Sequence, residues 1–125
     1  MSKLKEAFAA ATDEQRLKYC VNLIEQASLD GKSNNKIMSM LENLGTDPDM
    51  IAEAFELAEE LCLPTEKEKA MYAALRIIDE TDKPFSAALL RRIVSRLAYR
   101  GFESEIIDEI VEKLRYEYDI EDFYS

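Results

Sequence analysis

A chain of 125 residues with 47% hydrophobic content is long enough for one domain or two small modules, and too apolar to be disordered. Its net charge of −10 argues against direct, sequence-independent binding to nucleic acid, because it lacks the field that concentrates phosphates. The absence of histidine removes the commonest general base and metal ligand, and two cysteines alone do not make a zinc site.

The first element is a short charged amphipathic helix over residues 1–11, with Leu4, Ala7, Phe8 and Ala11 at helical spacing. It has neither the apolar core of a secretion signal nor the character of a transit peptide. Thr12 and Gln15 form a capping-box pair, which opens a helix over 13–29 carrying Leu17, Cys20, Val21, Ile24, Ala27 and Ser28 on one face. Asp30-Gly31 ends it. Ser33 caps a shorter helix with Ile37, Met40, Leu41 and Leu44, which stops at Gly45. Asp47-Pro48 starts a third helix over 48–62, with Ile51, Ala54, Phe55, Ala58 and Cys62 on its apolar face. Leu63-Pro64 breaks that helix.

Thr65 and Glu68 repeat the capping box and open a helix over 66–80, whose apolar face is expected to hold Met71, Ala74, Leu75 and Ile78. Ser86 caps a helix over 87–99 with Leu89, Leu90, Ile93, Val94 and Leu97, which Gly101 ends. Ser104 is expected to cap a last helix over 105–118 with Ile106, Ile107, Ile110, Val111 and Leu114, and Asp119 to Ser125 to add one short turn. The pattern states itself twice: Gly45 to Gly101 is 56 positions, and so is Ile51 to Ile107. The expected fold is all-α: tandem three-helix repeats over 12–63 and 64–125, packed into one helical bundle behind a short N-terminal helix. Cys20 and Cys62, each among apolar residues at helical spacing, read as small buried hydrophobes. No apolar run approaches the length of a membrane span, and a cytoplasmic protein is expected.

No residue stands out as catalytic, and no cofactor or metal is expected. The anomalous feature is basic. Lys83, Arg91, Arg92, Arg96 and Arg100 occur in a stretch, 83–100, without a carboxylate. Arg92, Arg96 and Arg100 share one helix face, a partner-binding candidate that suits phosphate or an acidic protein surface. The competing explanation is that this face pairs with the acidic segment 101–125 of the same molecule. In that segment Glu117, Asp119, Glu121 and Asp122 alternate with Tyr116, Tyr118, Phe123 and Tyr124. The spacing is not that of a calcium loop, and the aromatic residues are expected to form a closing clasp or to dock on a partner. Asp30-Gly31-Lys32-Ser33 lacks the frame of a phosphate loop; a helix stop followed by a helix cap accounts for it.

The second triplet resembles a repeat of the RecX family of recombinase regulators. The resemblance lies in Tyr72-Ala73-Ala74-Leu75-Arg76, Phe85-Ser86, Arg100-Gly101-Phe102-Glu103, Glu105-Ile106-Ile107-Asp108-Glu109-Ile110, Leu114 and Asp119 to Phe123. The first triplet matches more loosely, through Ser33, Ile37, Leu41, Gly45 and Ile51. Ser86 to Gly101 spans 15 positions where Ser33 to Gly45 spans 12, the spacing closer to the family's, and the family typically has three units. The Gly-Phe turn before an acidic helix also looks like ubiquitin-associated modules, and Asp30-Gly31-Lys32 with Leu44-Gly45 looks like TerB-type helical domains.

The resulting expectation is a non-enzymatic regulatory protein-interaction module. The RecX resemblance implies a RecA-type filament as partner, docking in its groove, with the arginine stripe facing phosphates or an acidic recombinase surface. Two alternatives stand beside it. One is an acidic antagonist that occupies the nucleic-acid-binding surface of another protein. The other is a structural homodimer joined through an apolar helix face.

Overall fold

A computed structural model describes residues 3–119. Its backbone is all-α: seven helices and, among the described residues, no strand. The chain divides between Pro64 and Thr65 into two compact units.

The first unit contains α1 (Lys3–Ala10), α2 (Asp13–Leu29), α3 (Asn34–Asn43) and α4 (Pro48–Ala58). Each start has a local cause. At α2 the Thr12 hydroxyl accepts from the Gln15 amide at 3.2 Å, while the Gln15 side chain accepts from the Thr12 amide at 3.0 Å. At α3 the Ser33 hydroxyl accepts from the Lys36 amide. At α4 the Asp47 carboxylate accepts from the Asp49 amide at 2.8 Å, with Pro48 in the first turn. These bonds satisfy donors that a helix start otherwise leaves without partners. The core joins Phe8 from α1, Cys20, Ile24 and Ala27 from α2, Ile37 and Leu41 from α3, and Ile51, Ala54 and Ala58 from α4. Helix α2 packs mainly along α4, which presents alanines that permit close approach.

The second unit contains α5 (Glu66–Asp79), α6 (Ala87–Tyr99) and α7 (Ser104–Tyr118). Thr65 and Glu68 form the reciprocal capping box at α5. Its core is built from Ala70, Ala73, Ala74 and Ile77 of α5, Leu89, Leu90, Ile93 and Leu97 of α6, Phe102, and Ile107, Ile110, Val111 and Leu114 of α7.

The turns after α3 and α6 are alike. Gly45 and Gly101 have φ of +88° and +91°. The amide after each glycine bonds back across the helix end, Thr46 to the Leu41 carbonyl and Phe102 to the Leu97 carbonyl, both at 3.2 Å. This is the Schellman arrangement, in which glycine tolerates the left-handed backbone and the next residue turns inward. Thr46 and Phe102 are both buried.

Three expectations need correction, and a fourth falls largely outside the described residues. Cys62 is exposed, not buried. The helix tightens to a 3-10 turn over Glu59–Leu61, and Cys62 reverses the chain at φ +54°, so the α-helical spacing no longer applies there. The buried face of α5 is centred on Ala70, Ala73, Ala74 and Ile77 rather than on Met71, Ala74, Leu75 and Ile78. Leu75 is 44% exposed, because the small alanines let the neighbouring helices come close and the bulkier residues flank that contact. Lys69 shares the buried face, its ammonium 3.1 Å from Glu66. At α7 the cap position falls to Glu103, which makes no side-chain cap bond, and Ser104 is the first helical residue. The expected turn from Asp119 onward lies, after Asp119, outside the described residues.

Candidate partner-binding surface on α6

The inward face of α6 fixes its outward one. Leu89, Leu90, Ile93 and Leu97 recur at helical spacing and are buried. The residues between them, Arg91, Arg92 and Arg96, are therefore turned to solvent, and all three are exposed. Arg92 and Arg96 stand one turn apart, about 6 Å along the axis. Arg100, also exposed, occupies the C-cap position. Arg96 and Arg100 complement the negative end of the helix dipole, which gives them a local reason to be there. Arg91 and Arg92, near the helix start, have no such reason.

The loop before α6 brings Lys83 to the same side. Lys83, Arg92 and Arg96 line a shallow cleft of about 410 Å³ with Ile77, Glu80, Thr81 and Asp82 from the end of α5 and its following loop. Arg91 and Arg100 are not part of its lining. Thr81 fixes the loop by donating its hydroxyl to the Ile77 carbonyl at 2.7 Å. Glu80 pairs with Arg76 at 3.3 Å. Sequence reasoning missed that carboxylates share this cleft, since it treated 83–100 as a block that begins after Asp82.

Among the described residues, no ion pair involves Lys83, Arg91, Arg92 or Arg96. Two carboxylates of the acidic helix α7 are paired elsewhere: Glu109 with Lys67 at 2.6 Å and Glu112 with Arg115 at 3.0 Å. Glu121 and Asp122 lie outside the described residues, as do Phe123 and Tyr124. Tyr118 stacks on Phe85, centroids 4.1 Å apart and planes 13° from parallel, which ties the end of α7 to the loop before α6. Tyr116 is exposed.

A second missed residue is Tyr99, 89% exposed and one turn beyond Arg96. The signal was present: position 99 follows 92 and 96 at the outward spacing, but a tyrosine in an apolar run is easily assigned to the core. Arginine beside exposed tyrosine is the composition that protein-binding surfaces favour. No group of His, Cys, Asp and Glu able to hold a metal ion occurs among the described residues. No described helix is long and apolar enough to cross a membrane.

Comparison with known proteins gives one relationship of weight. The chain is similar to the Regulatory protein RecX of Clostridioides difficile (strain 630), 28% identical over 137 residues of alignment that take in 94% of this chain. The alignment covers 63% of that protein's length. The likeness supports the RecX-like resemblance read from the sequence and extends it over both units. No protein-family model and no solved structure matches.

Proposed function

We propose that this chain is a non-enzymatic regulator that docks on a RecA-type recombinase filament and changes its growth, with the outward face of α6 as a contact surface. The observation that carries this reading is the likeness to a RecX regulatory protein along 94% of the chain. The two units act as tandem copies of one helical module. Arg91, Arg92, Arg96 and Lys83 supply positive charge that is not paired within the described part of the molecule, and Tyr99 supplies apolar area beside it. Such a surface speeds encounter with an acidic or phosphate-bearing partner and fixes register, while affinity comes from the groups it buries.

The test uses the recombinase of the source cell, assembled on single-stranded DNA. The wild-type chain should change filament ATPase activity or length. Arg92→Glu combined with Arg96→Glu should weaken that effect by about tenfold, mainly through slower association, with helicity unchanged. An equal effect from both proteins would remove the stripe from the mechanism. No effect of the wild type at any concentration would remove the recombinase. The net charge of −10 favours a second reading, an antagonist that occupies a DNA-binding surface on another protein. That reading predicts competition with DNA for the partner and no binding to the DNA-loaded filament.

A further inference from the structure

We propose that the groove between α1, the start of α2 and the α3–α4 turn docks a basic amphipathic helix from a partner protein. The groove encloses about 1190 Å³, beyond the roughly 300–1,000 Å³ typical of small-ligand pockets. Its floor is apolar: Phe8 is buried there, and Leu17, Leu44 and Met50 are half-buried, so part of each side chain remains available to an incoming group. An apolar floor between helices suits anchors at i and i+4 of a bound helix.

The rim decides the charge of the occupant. Glu6, Glu14, Asp49 and Glu53 line it, exposed, and none of them takes part in an ion pair among the described residues. Asp13 and Asp47 line it too, but Asp13 pairs with Arg16 at 3.3 Å and Asp47 caps α4. Of the cations lining the groove, Arg16 is committed to the protein. Its Nε donates to the Phe8 carbonyl at 2.9 Å and its Nη2 to the Ala9 carbonyl at 2.5 Å. Lys5 is the other cation of the lining. Carboxylates at a helix start are explained by the dipole, and that accounts for Glu6, Glu14 and Asp49. It does not account for Glu53, which lies beyond the first turn of α4 on the groove side. A bound lysine or arginine would meet a rim on which carboxylates outnumber Lys5 and Arg16, whereas an acidic segment would be repelled. The groove belongs to the first unit and the α6 surface to the second, so either can fail without the other.

The experiment uses the full chain and a fluorescein-labelled peptide of roughly 15 residues, long enough to form helix, with leucines at i and i+4 flanked by lysine and arginine. A control peptide keeps the leucines and replaces every cation with glutamate. Anisotropy should show the basic peptide binding at least about tenfold tighter than the control, and more weakly at high salt. Glu6→Lys with Glu53→Lys should lower its affinity about tenfold, while Glu105→Lys with Asp108→Lys, the same charge change made on α7, should not. Backbone amide shifts on titration should concentrate at residues 5–17 and 44–53. Equal binding of both peptides, equal loss from both double variants, or shifts confined to α5–α7 would each overturn the proposal. If the Glu6/Glu53 variant loses helicity, Glu53→Gln with shift mapping decides in its place.

Discussion

Replacing Gly45 by alanine isolates one physical term. The backbone there has φ of +88°, and a Cβ built on it would meet nothing within 4 Å. The steric contribution is therefore nil, and the cost is that of holding an L-residue in the left-handed region, about 1–2 kcal/mol. Alanine also narrows the unfolded ensemble, which offsets about 0.4–1 kcal/mol. The net loss should be about 1 kcal/mol, or about 4–8 °C in melting temperature for a unit of this size. Gly45→Asn should cost less, since asparagine visits this region more readily. The assay is a thermal melt followed by circular dichroism, with urea unfolding as a second measure. A loss above about 3 kcal/mol would show that a Cβ does collide there. No loss at all would show that the chain does not turn through the left-handed region, and the Schellman account of this turn would fall.

Leu97→Ala empties a fully buried position in the second core and should cost about 3–5 kcal/mol, enough to abolish the cooperative melt of that unit. Glu68 is held below the usual carboxylate range by the Thr65 amide and then by the Thr65 hydroxyl, so its capping contribution is present at neutral pH and is lost as pH falls through its lowered pKa. Carboxyl NMR titration should show this, and Thr65→Ala should raise the midpoint. Burial pushes the Cys20 thiol up, opposed more weakly by the Thr46 hydroxyl 3.9 Å away. Iodoacetamide should therefore label exposed Cys62 and spare Cys20 in the folded protein, as mass spectrometry would record. Because the folded thiol is the weaker acid, stability at this site holds below the ordinary thiol range and declines as pH rises through and above it.

Helix boundaries were legible because punctuation acts locally. Thr12 with Gln15, Thr65 with Glu68, Asp47-Pro48, and the glycines at 31, 45 and 101 each specify a chain end through bonds within a few residues. Which side of α5 faces inward was harder to see, because Ala70, Ala73 and Ala74 carry little hydrophobic signal, and Lys69 carries the opposite signal while its charge is met by Glu66. Cys62 was misjudged because a 3-10 turn changes the angular step just where α-helical spacing was extrapolated. The arginine stripe could be placed from spacing alone. Its lack of ion pairs within the described residues could not, since that depends on where Glu109 and Glu112 find Lys67 and Arg115. The groove on the first unit was invisible in sequence, because α1 and the α3–α4 turn that form it stand far apart along the chain.

The division at Pro64 has a consequence for biosynthesis. Every buried side chain of the first core, from Phe8 to Ala58, is made before any residue of the second unit. Helical units with short connections close in microseconds to milliseconds, faster than a ribosome adds a residue. The leading half can thus be folded and hidden from proteases and chaperones while the trailing half is still being made.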